Sequence, residues 1–119
     1  MSTLETGRRG EEAALALYLA AGYRLVARNW RCSLGEVDLI LFRGGILALC
    51  EVKTRRGSWH GAPFEAVTWR KQRKLRQLAE AVLIEIGPGR EALDVRFDVA
   101  SVTVDDRDHP SVHLFEAAF

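Results

Sequence analysis

Glu36-Val37-Asp38-Leu39-Ile40-Leu41-Phe42-Arg43-Gly44-Gly45-Ile46-Leu47-Ala48-Leu49-Cys50-Glu51-Val52-Lys53 is the stretch whose reading decides the fold. Two apolar runs, Glu36 to Phe42 and Ile46 to Lys53, flank Arg43-Gly44-Gly45. A Gly-Gly pair between such runs predicts a tight hairpin, because both central turn residues need positive φ. With Gly44-Gly45 as a two-residue turn, Arg43 faces Ile46 and the pairs run outward one by one. Asp38 then falls opposite Glu51, and Glu36 opposite Lys53. Side chains alternate along a strand, so these four project from one face. Directly opposed residues have Cβ atoms about 4.5–5.5 Å apart.

Two carboxylates so placed repel each other, and their neighbours Ile40, Phe42, Leu47 and Leu49 are apolar. A fold keeps such a pair at a cost unless a cation or proton offsets it. Mg²⁺ (or Mn²⁺) suits the task, taking one or two carboxylates and completing its shell with water and phosphate oxygens. Such an ion polarises a phosphate and lowers the pKa of a bound water. Lys53, on the same face, is placed to orient that water or neutralise charge building on phosphorus. The plainer reading is solvated strand ends with a Glu36–Lys53 cross-strand pair. Two opposed acids and a lysine inside otherwise apolar strands favour the chemical reading.

Outward from the hairpin, Gly7 to Ala21 is rich in helix formers and Gly22 is placed to stop it. Tyr23 to Cys32 reads as the first strand, with a loop to Gly35. Arg55 to Pro63 reads as a polar loop. Phe64 to Ile86 reads as a long helix with Val67, Leu75, Leu78, Val82 and Ile86 on one stripe, ended by Gly87-Pro88-Gly89. Leu93 to Val104 and Ser111 to Glu116 read as strands around a turn at Asp105 to Pro110. The long helix is then a crossover, so the fourth strand should run parallel to the third. The expected class is α/β, a mixed five-stranded sheet flanked by helices.

The 119 residues fit a single domain over 1–119. No apolar run approaches a membrane span of roughly 20 residues. Met1 to Gly10 lacks the apolar core of a signal peptide, so a soluble cytoplasmic protein without membrane partners is expected. Cys32 and Cys50 form no C-x-x-C pair, and no histidine pair has zinc spacing. Cys50 reads as a buried small hydrophobe. The net charge of +1 gives no global attraction to polyanions, so any nucleic-acid interface must be local.

The residues above resemble the PD-(D/E)XK nuclease superfamily, through Gly35-Glu36-Val37-Asp38-Leu39-Ile40 followed by Glu51-Val52-Lys53. The whole chain is similar to the YraN family of predicted endonucleases, relatives of Holliday-junction resolvases. Gly7-x-x-Gly10-Glu11, Arg28-Asn29, Gly61-x-Pro63, Lys71, Arg96-Phe97-Asp98-Val99 and Ala118-Phe119 carry that likeness. Val37 stands where many superfamily members have proline. The resemblance implies a restriction-endonuclease-like three-layer α/β/α fold and an Asp38, Glu51, Lys53 catalytic set. It also implies Glu11 as a further metal ligand, whose rival reading is a first-turn acid favoured by the helix dipole.

Arg70, Lys71, Arg73, Lys74 and Arg76 lie together without an intervening acid. They read as phosphate contacts, which give affinity without sequence choice, or as a solvated helix face. Lys71 falls on the apolar stripe and should point toward the sheet. Arg55 and Arg56, with Trp59 and His60 beyond, are placed to clamp a strand. Glu36 is expected to hold Lys53 or Arg55. Trp30 and Trp69 are assigned to packing, Arg96 and Asp98 to structure, and His109 and His113 to nothing. The expected activity is Mg²⁺- or Mn²⁺-dependent hydrolysis of DNA, with RNA second. A binding module that keeps the fold is the alternative, and cleavage of both strands would call for a homodimer.

Overall fold

The computed structural model describes residues 3–57, 69–86 and 94–118. The hairpin forms in the register read from its glycines. Gly44 and Gly45 have φ of 55° and 81°, and β2 (Gly35–Arg43) pairs with β3 (Ile46–Arg56) from Arg43↔Ile46 to Leu39↔Cys50. Upstream lie α1 (Thr3–Ala20) and β1 (Arg24–Cys32). Downstream lie α2 (Trp69–Ile86), β4 (Asp94–Val104) and β5 (Pro110–Phe115). The sheet order is β1-β2-β3-β4-β5, antiparallel except for the parallel β3–β4 pair. A mixed sheet with a crossover between β3 and β4 is therefore what the chain builds.

α1 ends on Gly22, at φ 90°. Gly22 N–H donates to Leu19 O at 3.1 Å and Tyr23 N–H to Tyr18 O at 3.0 Å, which satisfies the last carbonyls in a Schellman arrangement. The Tyr18 and Tyr23 rings meet edge-on at 5.2 Å across that turn.

Alternation along the strands sends side chains to two cores. Leu39, Leu41, Ala48 and Cys50 pack under Ala14, Leu15 and Tyr18 of α1. Ile40, Leu47 and Leu49 pack under Leu78, Ala79 and Val82 of α2. Each helix thus buries its apolar stripe on its own face of the sheet. Trp30 packs in the second core, and its indole N–H donates to Glu85, tying β1 to α2.

One expectation about Arg55 and Arg56 needs correction. Both belong to β3 rather than to a loop, because β4 runs far enough to pair Arg55 with Thr103 and Arg56 with Val104. Arg56 also donates to Asp108 Oδ1 at 2.7 Å and to Asp105 O at 3.2 Å. Its guanidinium thereby braces the β4–β5 turn. Arg9 of α1 grips the same turn through Asp108 O at 2.9 Å.

Arg96 and Asp98 are structural, as expected. Asp98 is 1% exposed. Arg96 reaches its two oxygens from Nε and Nη2, each at 2.8 Å, Tyr18 Oη donates at 2.7 Å, and Ala117 N–H at 3.1 Å. A buried carboxylate with this many donors is stabilising where a bare one would not be. No helix among the described residues is long and apolar enough to cross a membrane.

Candidate active site

The site is made where β2 leaves β3. Their ladder stops at Leu39↔Cys50, yet β2 stays paired with β1 down to Cys32↔Gly35. β3 continues alone beside β4 to Arg56. The two strands fork at Asp38, and among the described residues the edge of β3 facing β2 has no strand partner from Glu51 onward.

Side-chain alternation slips at the same level. Val37 and Ile40 both belong to the α2-side core, although three residues apart. Across on β1, Ala27 and Trp30 show the same slip, with Asn29 between them at φ 50°. Asn29 and Asp38 lie opposite each other between Arg28↔Leu39 and Trp30↔Val37. Asn is among the few residues that take such a φ at modest cost.

The kink swings Asp38 into the fork. Its Oδ2 accepts the Val52 N–H at 2.8 Å. A strand N–H lies in the plane of the sheet, so this carboxylate sits in that plane and is reached from both faces. It lines a cleft on the α2 side with Glu36 and Glu51, and a hollow on the α1 side with Glu11 and Thr54. Asp38 and Glu51 do not form the ladder pair expected of them, because the strands part before that rung; they share the lining of the α2-side cleft instead. Glu51 and Lys53 follow Leu49 at period two and meet at 3.9 Å between Oε1 and Nζ. Both are half-exposed.

Burial raises the Asp38 pKa above the usual carboxylate value, and the charges of Glu36 and Glu51 add to the rise. The Val52 N–H and the Lys53 ammonium work against it. Glu11 is also raised, by burial and then by Asp38, against Arg28 and a hydrogen bond with the Asn29 side chain. The two acids oppose each other across the α1–sheet seam, which is the repulsion a divalent ion relieves. Every donor offered is a hard oxygen, which suits Mg²⁺ or Mn²⁺ rather than a soft metal. Among the described residues, no three His, Cys, Asp or Glu side chains gather closely enough to hold one ion together. The fit is therefore to a site of two carboxylates completed by water and phosphate. Glu11 is close enough to feel Asp38, but the three acids do not form one cage.

Glu36 does not hold Lys53 or Arg55; it pairs with Arg31 across β1 at 3.0 Å. The fork explains this, since below Leu39 the strand paired with β2 among the described residues is β1. Arg70, Arg73, Lys74 and Arg76 are exposed on α2, and Lys74 lines the cleft shared by Asp38 and Glu51. Lys71 lies in α2, but its side chain falls outside the described residues, as do Trp59, His60, Gly61, Pro63 and Val67. Trp69 is not a packing residue: it is 74% exposed, with the Arg73 guanidinium 5.8 Å from its ring centroid. Cys50, under the site, is buried and its thiol is pushed up to about 12, which keeps it inert. Asn29 and the Val52 N–H were not anticipated. An asparagine in a strand, where it packs poorly, was the available signal for the first.

Residues 10–102 match the family described as uncharacterised protein family UPF0102. A UPF0102 protein from Symbiobacterium thermophilum is 50% identical over 96 residues, covering 81% of this chain and 80% of the relative. One from Rhodococcus jostii is 43% identical over 116 residues, covering 98% and 97%. One from Acidothermus cellulolyticus is 42% identical over 121 residues, covering 95% and 92%.

Proposed function

From the premise that the chain belongs to the UPF0102 family, we propose that it hydrolyses phosphodiester bonds in DNA with a divalent cation held by Asp38 and Glu51. The observation that carries this reading is the fork. It brings Asp38 onto the Val52 N–H, with the Glu51–Lys53 pair on the adjoining strand. The helix–sheet–helix layering and the ordered acid, acid and lysine agree with a restriction-endonuclease-like enzyme.

The ion, Mg²⁺ or Mn²⁺, supplies Lewis acidity to a phosphate oxygen and acidifies water. The protein's own groups do the rest. Asp38 is held in place by a backbone N–H, so its free oxygen offers a fixed ligand. Glu51 gives a second oxygen from a strand anchored on β4. Lys53 stands beside both with an ammonium for negative charge on phosphorus or for orienting the attacking water. Glu11 acts through water from across the seam. Arg55 follows Lys53 at period two on the same face and is offered to the phosphate chain.

Arg70, Arg73, Lys74 and Arg76 supply the electrostatic footprint. Arg70→Ala and Arg73→Ala should each weaken DNA binding evenly across sequences and lower the slope of log affinity against log salt by about one. Fluorescence anisotropy titrations at several salt concentrations measure both effects. An unchanged slope would remove the helix from the interface.

The reading is tested by a cleavage panel of linear, flapped and four-way DNA and of RNA, each with Mg²⁺, Mn²⁺ or EDTA. Cutting should need the metal and be lost in both Asp38→Asn and Lys53→Ala. DNA binding without cutting in any lane would instead support a non-catalytic binding module. Cutting that survives both substitutions would place the chemistry elsewhere.

A further inference from the structure

We infer that the cleft between the sheet and α2, whose lip carries the acid pair, receives a single unpaired nucleobase from the bound strand. The inference rests on the phosphodiesterase reading for what brings a nucleic acid there, and it deepens that reading by naming the substrate class. The cleft has a volume of about 270 Å³. That is just below the roughly 300 Å³ at which small-molecule clefts begin, so it has room for one flat ring system and not for a stacked pair.

Its floor is apolar and drawn from four elements: Val37 of β2, Leu49 of β3, Leu75 and Leu78 of α2, and Phe97 of β4. Val37, Leu49 and Leu78 are buried, whereas Leu75 and Phe97 are only partly covered. The lip is split by charge. Glu36, Asp38 and Glu51 stand on the sheet side, and Lys74 on the helix side.

Few ligand chemistries suit that combination. An anion inserted into the cleft would meet three carboxylates. A plain hydrocarbon would fill the floor but desolvate the acids without giving them donors. A nucleobase does both jobs, with a π face for Phe97 and the leucines and edge N–H groups for Glu36, the lip carboxylate that the proposed metal site does not use. Its own phosphate stays outside, between Lys74 and the acid pair. Base–aromatic stacking is favourable whatever the base, because every base has a π face. A base inside continuous duplex must first be unstacked and unpaired, and this cost is least where the base is already single-stranded. The substrate class is therefore DNA with an unpaired nucleotide beside the scissile bond, as at a flap, gap or branch.

The test uses strands carrying 2-aminopurine next to the cut site, with the full chain held in EDTA so that nothing is cleaved. Seating the base should change its emission several-fold. Leu75→Trp, which fills the cleft from α2, should abolish the change. Leu75→Ala, which widens it, should keep the change and serves as the folding control. With Mg²⁺, flapped or gapped DNA should be cut at least tenfold faster than continuous duplex, and Leu75→Trp should erase that preference. No emission change with the wild type, or the same change with Leu75→Trp, overturns the inference even if DNA is cut. An intact emission change with no cutting of any substrate supports the cleft and sinks the phosphodiesterase reading instead.

Discussion

Asp38→Asn should abolish metal-dependent cleavage, by at least about 10³-fold, while leaving the protein as stable as before or more so. The activity loss is on the scale of removing a principal electrostatic contributor. The stability result follows from the site's geometry. Asparagine keeps an oxygen for the Val52 N–H that Asp38 accepts at 2.8 Å, so no buried donor is orphaned. It also removes the charge that Glu36 and Glu51 repel and that raises Glu11. Asp38→Ala lacks the oxygen and should lose roughly 1–3 kcal/mol from the stranded N–H, so the pair of variants separates charge from hydrogen bond.

Proton linkage gives the same claim a second readout. Asp38 and Glu11 have folded pKa values above their ordinary ones. The native state therefore takes up these protons before the unfolded state does. Their contribution to stability grows as pH falls from above the raised values down through the ordinary range, and is lost again as pH rises. This is opposite in sign to Asp105 and Asp108. Asp105 is held low by the His109 and Arg107 N–H groups, and Asp108 by Arg56; their contributions fade on acidification. Denaturant melts in EDTA across the acid range should show the favourable Asp38 component in wild type and lose it in Asp38→Asn. Added Mg²⁺ at neutral pH should stabilise wild type, by about 2.7 kcal/mol at a hundredfold excess over Kd, and should not stabilise Asp38→Asn. A Mg²⁺ shift of equal size in both proteins would take the ion away from this carboxylate.

The hairpin was legible because its turn is built from the one residue type that takes positive φ freely. From Gly44-Gly45 the register ran outward without ambiguity to Leu39↔Cys50. The parallel β3–β4 pair was legible from the length of the crossover. What stayed hidden were departures from regular geometry. Strict alternation puts Asp38 in a flat ladder, whereas the structure turns it into the sheet plane with the help of Asn29 at φ 50°. Glu36 pairs with Arg31 rather than Lys53 because β2 changes company at the fork. Arg56 looked like a loop cation because nothing local reports the parallel register that sets it beside Val104. Trp69 looked like core because an aromatic near an apolar stripe usually is, and only its burial distinguishes the two.

The other large effect expected is structural, and it reaches the site from α1. Gly10→Ala should destabilise the fold by about 3 kcal/mol or more, at the severe end of overpacking substitutions. A Cβ at Gly10 would stand 1.8 Å from Thr54 Oγ1, 2.8 Å from its Cβ and 2.9 Å from its Cγ2. Rotating the threonine can move the hydroxyl away, but the Thr54 Cβ stays put at 2.8 Å. The alternative is for α1 to lift off β3. Gly10 is buried and precedes Glu11, so lifting the helix carries that carboxylate away from Asp38 and Asn29. Stability and chemistry should therefore fall together. Thr54→Ala should restore part of the loss, since the 2.8 Å clash with Cβ remains. Thr54→Gly should restore more, although glycine within a strand carries its own penalty. A double-mutant cycle on melting free energy measures the coupling. A strongly non-additive cycle, with cleavage recovering alongside stability, is the expected result. Additive losses would mean that α1 does not rest on β3 at this point and that Glu11 is positioned by some other contact.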